Sequence, residues 1–109
     1  MPVTLLNVFN VPDEKHQEFL EHWENTTRVF RQKKGFIETH LHRNTGVGNS
    51  TFQYINIAKW ESAELWRSAH NDYKPTEYEV AGVKGHPAIF EAVINVYSDL
   101  LECPYTWSW

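Results

Sequence analysis

One segment, TFQYINIAKW at Thr51–Trp60, combines side chains that could bind an aromatic molecule. In a β-strand, successive side chains alternate between the two faces. One face then carries aromatic rings, a carboxamide and no charge: Phe52, Tyr54, Asn56, Ala58 and Trp60. Such a surface suits a pocket for a flat, partly polar ring, with Asn56 as the hydrogen-bonding group that orients it. The alternative is an aromatic core strand in which Asn56 satisfies a neighbouring backbone group.

Two histidines and a carboxylate share one face of another predicted strand, Phe36–Arg43: they are Glu38, His40 and His42. Two imidazoles and one carboxylate are few ligands for a metal ion, so we expect no metal site. His40 is the better candidate for a general base, because a neutral imidazole at about pH 7 can take a phenolic proton. His42 is expected in solvent beside the following turn.

Two more candidates lie near the ends of predicted elements. His70 ends the second predicted helix, where it can interact with helix carbonyl groups or face the mouth of a cavity. Tyr97 shares a face of the last predicted strand with Glu91 and Asn95. It contacts substrate if that face lines a cavity, and otherwise it packs in an interface.

Hydrophobic periodicity predicts the order strand, helix, strand, strand, helix, strand. The elements are Val3–Val11, a helix capped by Asp13 that runs to Lys34, Phe36–Arg43, Thr51–Trp60, a helix capped by Ser62 that fades at residues 70–72, and Ala88–Tyr97, with a short helix over residues 76–83 as a further option. This order is that of the α+β, ferredoxin-like split β-α-β fold, in which a four-stranded antiparallel sheet carries helices on one face. The last strand is nearly continuous in apolar residues, which predicts that both of its faces are covered.

The sheet face without helices also carries apolar residues, and it would form a large exposed patch in a monomer. Two sheets packed face to face across a two-fold axis would bury that patch, so we expect a homodimer that packs sheet to sheet. We assign residues 1–97 to this domain and residues 98–109 to a tail that ends in Tyr105, Trp107 and Trp109. The tail is expected to dock on the domain or on the partner subunit, with a disordered end as the alternative.

Composition argues against several functional classes. The chain has 109 residues, 41% of them hydrophobic, which suits a single domain with a core. A net charge of −4, with Lys and Arg scattered, argues against binding nucleic acid. We expect no membrane association, because no apolar run is long enough to span a bilayer and the first residues do not begin a signal peptide. The single cysteine, Cys103, excludes an internal disulfide and favours a cytoplasmic location.

Three segments resemble the antibiotic biosynthesis monooxygenase domain: NVFNVP at residues 7–12, KGFIETHLHR at residues 34–43 and INIAKWES at residues 55–62. Their order and spacing carry the resemblance, which covers roughly Val3 to Tyr97. It implies a ferredoxin-like subunit that dimerises into a barrel. It also implies oxidation of phenolic or hydroquinone-like substrates with O2 as co-substrate, using neither metal nor flavin. The protein then mainly binds, desolvates and orients its substrate.

The resemblance also implies roles for individual residues. Asn56 and Trp60 match the Asn and Trp that line the cavity in quinone-forming members. Trp66 stands where such members commonly have a Tyr, so a phenol and its proton are lost there. The downstream Arg of these members has no clear match, since Val80 falls near its place.

A second branch of the same superfamily degrades heme with Asn, Trp and His. Asn7 matches the Asn of that branch, but its Trp position falls near Ala69. His70 and His86 are the nearest substitutes for its His, and neither fits well. Heme degradation is therefore the weaker enzymatic alternative.

We predict a cofactor-independent monooxygenase that acts on a small aromatic, quinol-like substrate, with Asn56, Trp60 and His40 as catalytic candidates. The candidate substrate-binding residues are Asn7, Phe52, Tyr54, Trp66, His70 and Tyr97. The alternatives are a non-catalytic dimeric barrel that binds a small ligand, and a heme-degrading enzyme, the one case in which heme would be required. Convergence of Asn7, Asn56 and His40 would favour catalysis.

Overall fold

A computed structural model describes residues 2–73 and 80–100 of the chain. Its elements are β1 (Val3–Asn10), a 3-10 turn (Asp13–Lys15), α1 (His16–Phe30), β2 (Phe36–Arg43), β3 (Tyr54–Trp60), α2 (Ala63–Asp72) and β4 (Lys84–Phe90). The strands form one antiparallel sheet in the order β2-β3-β1-β4. The predicted α+β, ferredoxin-like fold is confirmed. Within the described ranges, no helix has the length and apolar character needed to cross a lipid bilayer.

The central strand β3 alternates as predicted. Its side chains Tyr54, Asn56, Ala58 and Trp60 are buried, whereas Ile55 and Ile57 on the other face are half-buried. The buried residues pack with helix side chains in two core clusters, so the buried face of β3 is the one that carries the helices. The strand begins at Tyr54 and not at Thr51.

The first helix is shorter than predicted at both ends. The chain after Pro12 forms a 3-10 turn before α1, and Asp13 lies in that turn without capping the helix through its side chain. The helix ends at Phe30, before the basic pair Lys33-Lys34. Ser62 does cap α2, since its hydroxyl oxygen accepts from the Leu65 backbone N–H at 3.2 Å.

The fourth strand lies earlier in the sequence than predicted. β4 covers Lys84–Phe90 and pairs with Thr4 to Asn10 of β1, so little of β1 remains to pair with residues beyond Phe90. The apolar run that suggested a strand, from Val93 to Tyr97, is instead exposed and irregular. The predicted strand bounds Ala88–Tyr97 are therefore wrong, and the single chain by itself leaves this run exposed. β4 also contains Pro87, which suits an edge strand, where a missing backbone donor costs little.

Two predictions lie wholly or partly outside the described residues. The optional helix over residues 76–83 falls there except for residues 80–83, which are not helical. The docking of the tail concerns mostly residues 101–109, which also lie outside.

The turn between α1 and β2 depends on Gly35. Its φ of +94° lies in the left-handed region, and a Cβ at this position would stand 2.6 Å from Cβ of Leu65 in α2. Glycine therefore satisfies both the backbone conformation and the close approach of α2.

We expect Gly35→Ala to lower the free energy of unfolding by about 3 kcal/mol, of which about 1–2 kcal/mol comes from the left-handed backbone and the rest from overpacking. The matched control is Gly46→Ala, because Gly46 also has a positive φ (+87°), but an added Cβ there would have nothing within 4 Å. Urea unfolding of both variants measures the difference. Equal losses would contradict a packing role for Gly35.

Candidate functional site

A cavity of about 400 Å³ lies between the helices and the sheet face that they cover. Its lining comes from the sheet, both helices and the segment that follows α2. The lining includes Asn7, His22, Thr26, Phe30, Phe36, Asn56, Trp60, Trp66, His70, Tyr73, Lys84 and Gly85. Most of these are aromatic or neutral polar side chains, as in pockets for small organic ligands.

A polar row divides the core in two. Strand pairing sets Asn7 directly opposite Asn56, between the pair Leu5 and Ala58 on one side and the pair Phe9 and Tyr54 on the other. The first pair belongs to one core cluster and the second pair to another. The cavity touches this row, so two carboxamides stand side by side in its floor.

Both carboxamides are held by their oxygen atoms. Asn7 Oδ1 accepts from the backbone N–H of His86 in β4 at 2.7 Å. Asn56 Oδ1 accepts from the Thr39 hydroxyl of β2 at 2.5 Å. Neither amide NH2 group has an acceptor among the residues of the two described ranges. The floor therefore presents amide donors to whatever occupies the cavity.

Gly85 makes room for the first of these carboxamides. A Cβ at Gly85 would stand 2.9 Å from Asn7 Oδ1 and 2.8 Å from a ring carbon of Phe9. Gly85 is not among the site residues predicted from the sequence. The available signal was a glycine within a strand, which marks a close approach of other atoms to the backbone.

Trp60 forms a rigid wall. Its side chain is 1% exposed, and it makes edge-to-face contacts with Phe36 (ring centroids 5.5 Å apart) and Phe30 (6.4 Å). Its indole Nε1 is buried and has no hydrogen-bond partner within the described part of the chain. A buried donor without an acceptor is energetically costly.

Helix α2 contributes a stacked pair at the edge of the cavity. The rings of Trp66 and His70, one helical turn apart, have centroids 5.0 Å apart and planes inclined by 20°. Both line the cavity, and His70 is exposed. Of the two interpretations of His70, the structure supports the one at the cavity mouth.

A second polar group lies on the helix side of the cavity and was not predicted from the sequence. The Thr26 hydroxyl lies 3.3 Å from the Tyr73 hydroxyl and 3.5 Å from His22 Nε2. The spacing of His22 and Thr26 on one face of α1 was the available signal. Tyr73 could not be found in this way, because it follows the end of α2.

His40 does not lie with Asn7 and Asn56, so the convergence of the three residues that would have favoured catalysis does not occur. It pairs with Ile57, whose side chain lies on the face without helices, and its Nε2 lies 3.0 Å from a carboxylate oxygen of Glu38. The sheet therefore separates His40 from the cavity. No cluster of three or more His, Cys, Asp or Glu side chains able to hold a metal ion occurs within residues 2–73 and 80–100.

Three predicted substrate contacts also lie away from the cavity. The Tyr54 hydroxyl is bonded to Nδ1 of His16 at 2.9 Å, and its ring packs on Phe19 in the core. Phe52 precedes β3 and contacts the ring of His86, with centroids 6.4 Å apart. Tyr97 is 65% exposed and lies beyond β4. The alternation that grouped Phe52 with Asn56 fails because the chain bends at Gln53.

Comparison with known proteins places this architecture in a family. The family model described as antibiotic biosynthesis monooxygenase matches residues 2–74. Tetracenomycin-F1 monooxygenase of Streptomyces glaucescens is 33% identical over 70 residues, which make up 63% of this chain and 59% of that enzyme. The chain therefore aligns with less than two thirds of this relative.

Solved structures agree on the fold. A candidate monooxygenase from Shewanella loihica PV-4 is 32% identical, with a TM-score of 0.75 over 86% of this chain and 96% of that one. The heme-degrading protein Rv3592 of Mycobacterium tuberculosis (24% identical, 90% and 98% of the two chains) and the cofactor-independent oxygenase SnoaB of Streptomyces nogalater (22%, 89% and 98%) each have a TM-score of 0.63. At these identities the last two show a shared fold. Because the family model matches more than half of the chain, the protein belongs to the antibiotic biosynthesis monooxygenase family.

Proposed function

We propose that this protein is a cofactor-independent monooxygenase that oxidises a small aromatic, quinol-like substrate with O2. The observation that carries the proposal is the pair Asn7 and Asn56, whose oxygens are bonded to the protein and whose side chains line an aromatic cavity. Its membership of a monooxygenase family and its similarity to a tetracenomycin monooxygenase support the same reaction class.

The carboxamides would act on the oxygen of the substrate. Amide donors favour the ionised form of a bound phenol, because hydrogen bonds to an anion are stronger than those to a neutral group. A phenolate is a better electron donor than a phenol, and it can reduce O2 without help from a metal or flavin. In the balanced reaction, SH2 and O2 give SO and H2O. One oxygen atom enters the substrate and the other leaves in water with two substrate hydrogens, so the substrate supplies all four electrons that reduce O2.

The aromatic walls would bind the ring and exclude water. Trp60 is held by edge-to-face contacts with Phe30 and Phe36, and Trp66 lines the cavity from α2. A rigid apolar enclosure holds a flat substrate in one orientation and strengthens the amide–phenolate interaction. Asn56 and Trp60 are thus proposed as catalytic, with Asn7, Trp66 and His70 as substrate contacts.

A non-catalytic barrel that binds a small ligand would use the same cavity, so activity must decide between the two. The cytoplasmic location favoured by the single cysteine stays a prediction.

The first test is O2 uptake by chelator-treated protein with a panel of hydroquinones and hydroxynaphthalenes. We expect enzyme-dependent uptake, and a loss of at least about 100-fold in kcat for Asn7→Asp or Asn56→Asp, the size of effect seen when one donor to a developing anion is removed. Both variants keep an oxygen to accept the bond from His86 N–H or from the Thr39 hydroxyl, while they replace the amide donors with a carboxylate.

The matched control is Asn10→Asp, which makes the same change of charge at an exposed position on the same strand as Asn7. It should retain activity. An uptake rate that Asn7→Asp and Asn56→Asp leave unaltered would remove the carboxamides from the mechanism. No uptake on any panel member by the wild-type protein would leave the ligand-binding barrel as the better description.

The heme-degrading alternative has its own test. Within the described ranges, the histidines that line the cavity are His22 and His70, and they already contact Thr26 and Trp66. We therefore expect no stoichiometric change in the Soret band when hemin is titrated into the protein. A one-to-one complex that His70→Ala abolishes would instead support heme as a ligand of this cavity.

We also propose a homodimer formed through the sheet face opposite the helices. Its centre is apolar, with Leu6, Val8, Ile55 and Ile57 only half-buried in the single chain. The irregular segment after β4 adds Val93, Ile94, Val96 and Leu100, each at least 80% exposed. Exposed apolar surface of this extent is typical of subunit interfaces.

Light scattering should give a mass of twice 12.9 kDa for the wild-type chain. We expect Ile57→Lys to give a monomer, because it would bury a charge at the centre of the interface. Val47→Lys, at an 88% exposed position in the β2–β3 connection, should remain a dimer. A monomeric wild-type protein would contradict this packing.

A further inference from the structure

The helix side of the cavity holds three groups able to exchange protons, and the proposed reaction does not otherwise use them. They are the imidazole of His22, the hydroxyl of Thr26 and the phenol of Tyr73. All three line the cavity, together with apolar residues such as Phe30. Polar side chains at such a place require an explanation.

The three groups are connected in one line. Thr26 stands in the middle, with its hydroxyl 3.3 Å from the Tyr73 hydroxyl and 3.5 Å from His22 Nε2. A hydroxyl can donate one bond and accept another, so it can pass a proton between its two neighbours. These distances are at the long end for hydrogen bonds, as is common at catalytic groups before substrate binds.

Backbone and ring contacts fix the Tyr73 phenol next to Thr26 and His22. Tyr73 ends α2 in an extended conformation, while its N–H donates to the carbonyl oxygen of Ala69 at 3.0 Å. Its ring packs on Phe30, with centroids 5.1 Å apart. The phenol is therefore held at the cavity by contacts with both helices.

The position of the Tyr73 phenol matters for proton transfer. Trp66, the large aromatic residue of α2 in the cavity, carries no acidic or basic group. The titratable side chains around the cavity within the described ranges are His22 from α1, His70 from α2, Tyr73, and Lys84 from β4. His70 and Lys84 are exposed at its edge, whereas His22 and Tyr73 are half-buried. The inner pair is better placed to exchange a proton with an enclosed ligand.

We propose that Tyr73, Thr26 and His22 form a proton relay that takes the hydroxyl proton of the bound aromatic substrate. This proposal rests on the proposed function for its substrate class. Tyr73 is the catalytic residue, because it touches the substrate hydroxyl. Thr26 is a positioning residue that transmits the proton, and His22 stores it.

The transfer balances without any further reactant. The substrate O–H bond breaks and its proton binds the Tyr73 oxygen, as the Tyr73 proton passes to Thr26 and the Thr26 proton passes to His22 Nε2. The result is a substrate phenolate facing Asn7 and Asn56, an imidazolium at His22, and Tyr73 and Thr26 with their original number of protons. When O2 has been reduced by the substrate, the stored proton returns along the same line and leaves in water.

The relay can be tested by binding alone, with 2-naphthol as the probe in the intact protein. Its neutral and ionised forms differ in absorption, and calorimetry in buffers of different ionisation enthalpy counts the protons released on binding. At about pH 8, we expect the wild-type protein to bind the ionised form without net proton release. His22→Gln should either bind the neutral form or release about one proton per ligand, since the internal acceptor is gone.

Variants of the other two members separate a relay from a structural contact. Tyr73→Phe and Thr26→Val should give the same result as His22→Gln, whereas Thr26→Ser, which keeps the hydroxyl, should restore wild-type behaviour. Tyr97→Phe, which removes an exposed phenol away from the cavity, is the control. Thermal melting of each variant shows whether loss of the hydrogen bond between Tyr73 and Thr26 lowers stability without changing proton transfer.

The proposal is overturned if the wild-type protein fails to bind 2-naphthol, binds its neutral form, or releases the proton to solvent. It is also overturned if the Tyr73 and Thr26 variants match the wild-type spectrum and proton count. Ionisation of the probe by a protein that shows no O2 uptake with any hydroquinone would support the relay and reject the monooxygenase function. The two proposals can therefore fail separately.

Discussion

The structure depends on how two adjacent carboxamides are satisfied in the buried face of a sheet. An amide in an apolar environment without a partner costs several kcal/mol, on the order of 2–7 by transfer measurements. Asn7 and Asn56 avoid much of this cost, because a backbone N–H from β4 and a hydroxyl from β2 bond to their oxygens. The edge strands thus define the orientation of side chains on the central strands. The lack of a side chain at Gly85 follows from the same constraint, because a Cβ there would collide with Asn7.

The cavity is a consequence of this polar row. Apolar side chains on both sides of the row form separate core clusters that hold the helices against the sheet, one including Trp60 and the other Phe19. Neither cluster closes over the carboxamides, because apolar atoms packed on free amide donors would leave those donors without water or protein partners. The space between the clusters is therefore maintained by chemistry as well as by shape, and a ligand with acceptor oxygens is the occupant that it suits.

The sequence was sufficient where the relevant pattern is local. Alternation along β3 placed Asn56 and Trp60 on one shared face, and the order of elements predicted the fold. It was insufficient where the answer depends on pairing between strands. The face of His40 relative to Asn56 depends on the β2–β3 register, which shifts at a bulge, and the start of β4 is decided by the length of β1. Tyr73 reaches the cavity only because α2 ends there, which no periodicity reveals.

The carboxamides of the sheet and the three proton-exchanging groups on the helix side lie on opposite walls of the cavity. The chemistry of these two sets is complementary. The amides of the sheet can stabilise negative charge but cannot accept the proton that creates it, since a carboxamide is not a base at neutral pH. The relay proposed for the helices can accept that proton but offers no positive charge to the substrate before it does so. An aromatic hydroxyl between them would be ionised by both walls acting together. Proton transfer in this chain then does not depend on a phenol at position 66, because Tyr73 supplies one from the end of the same helix.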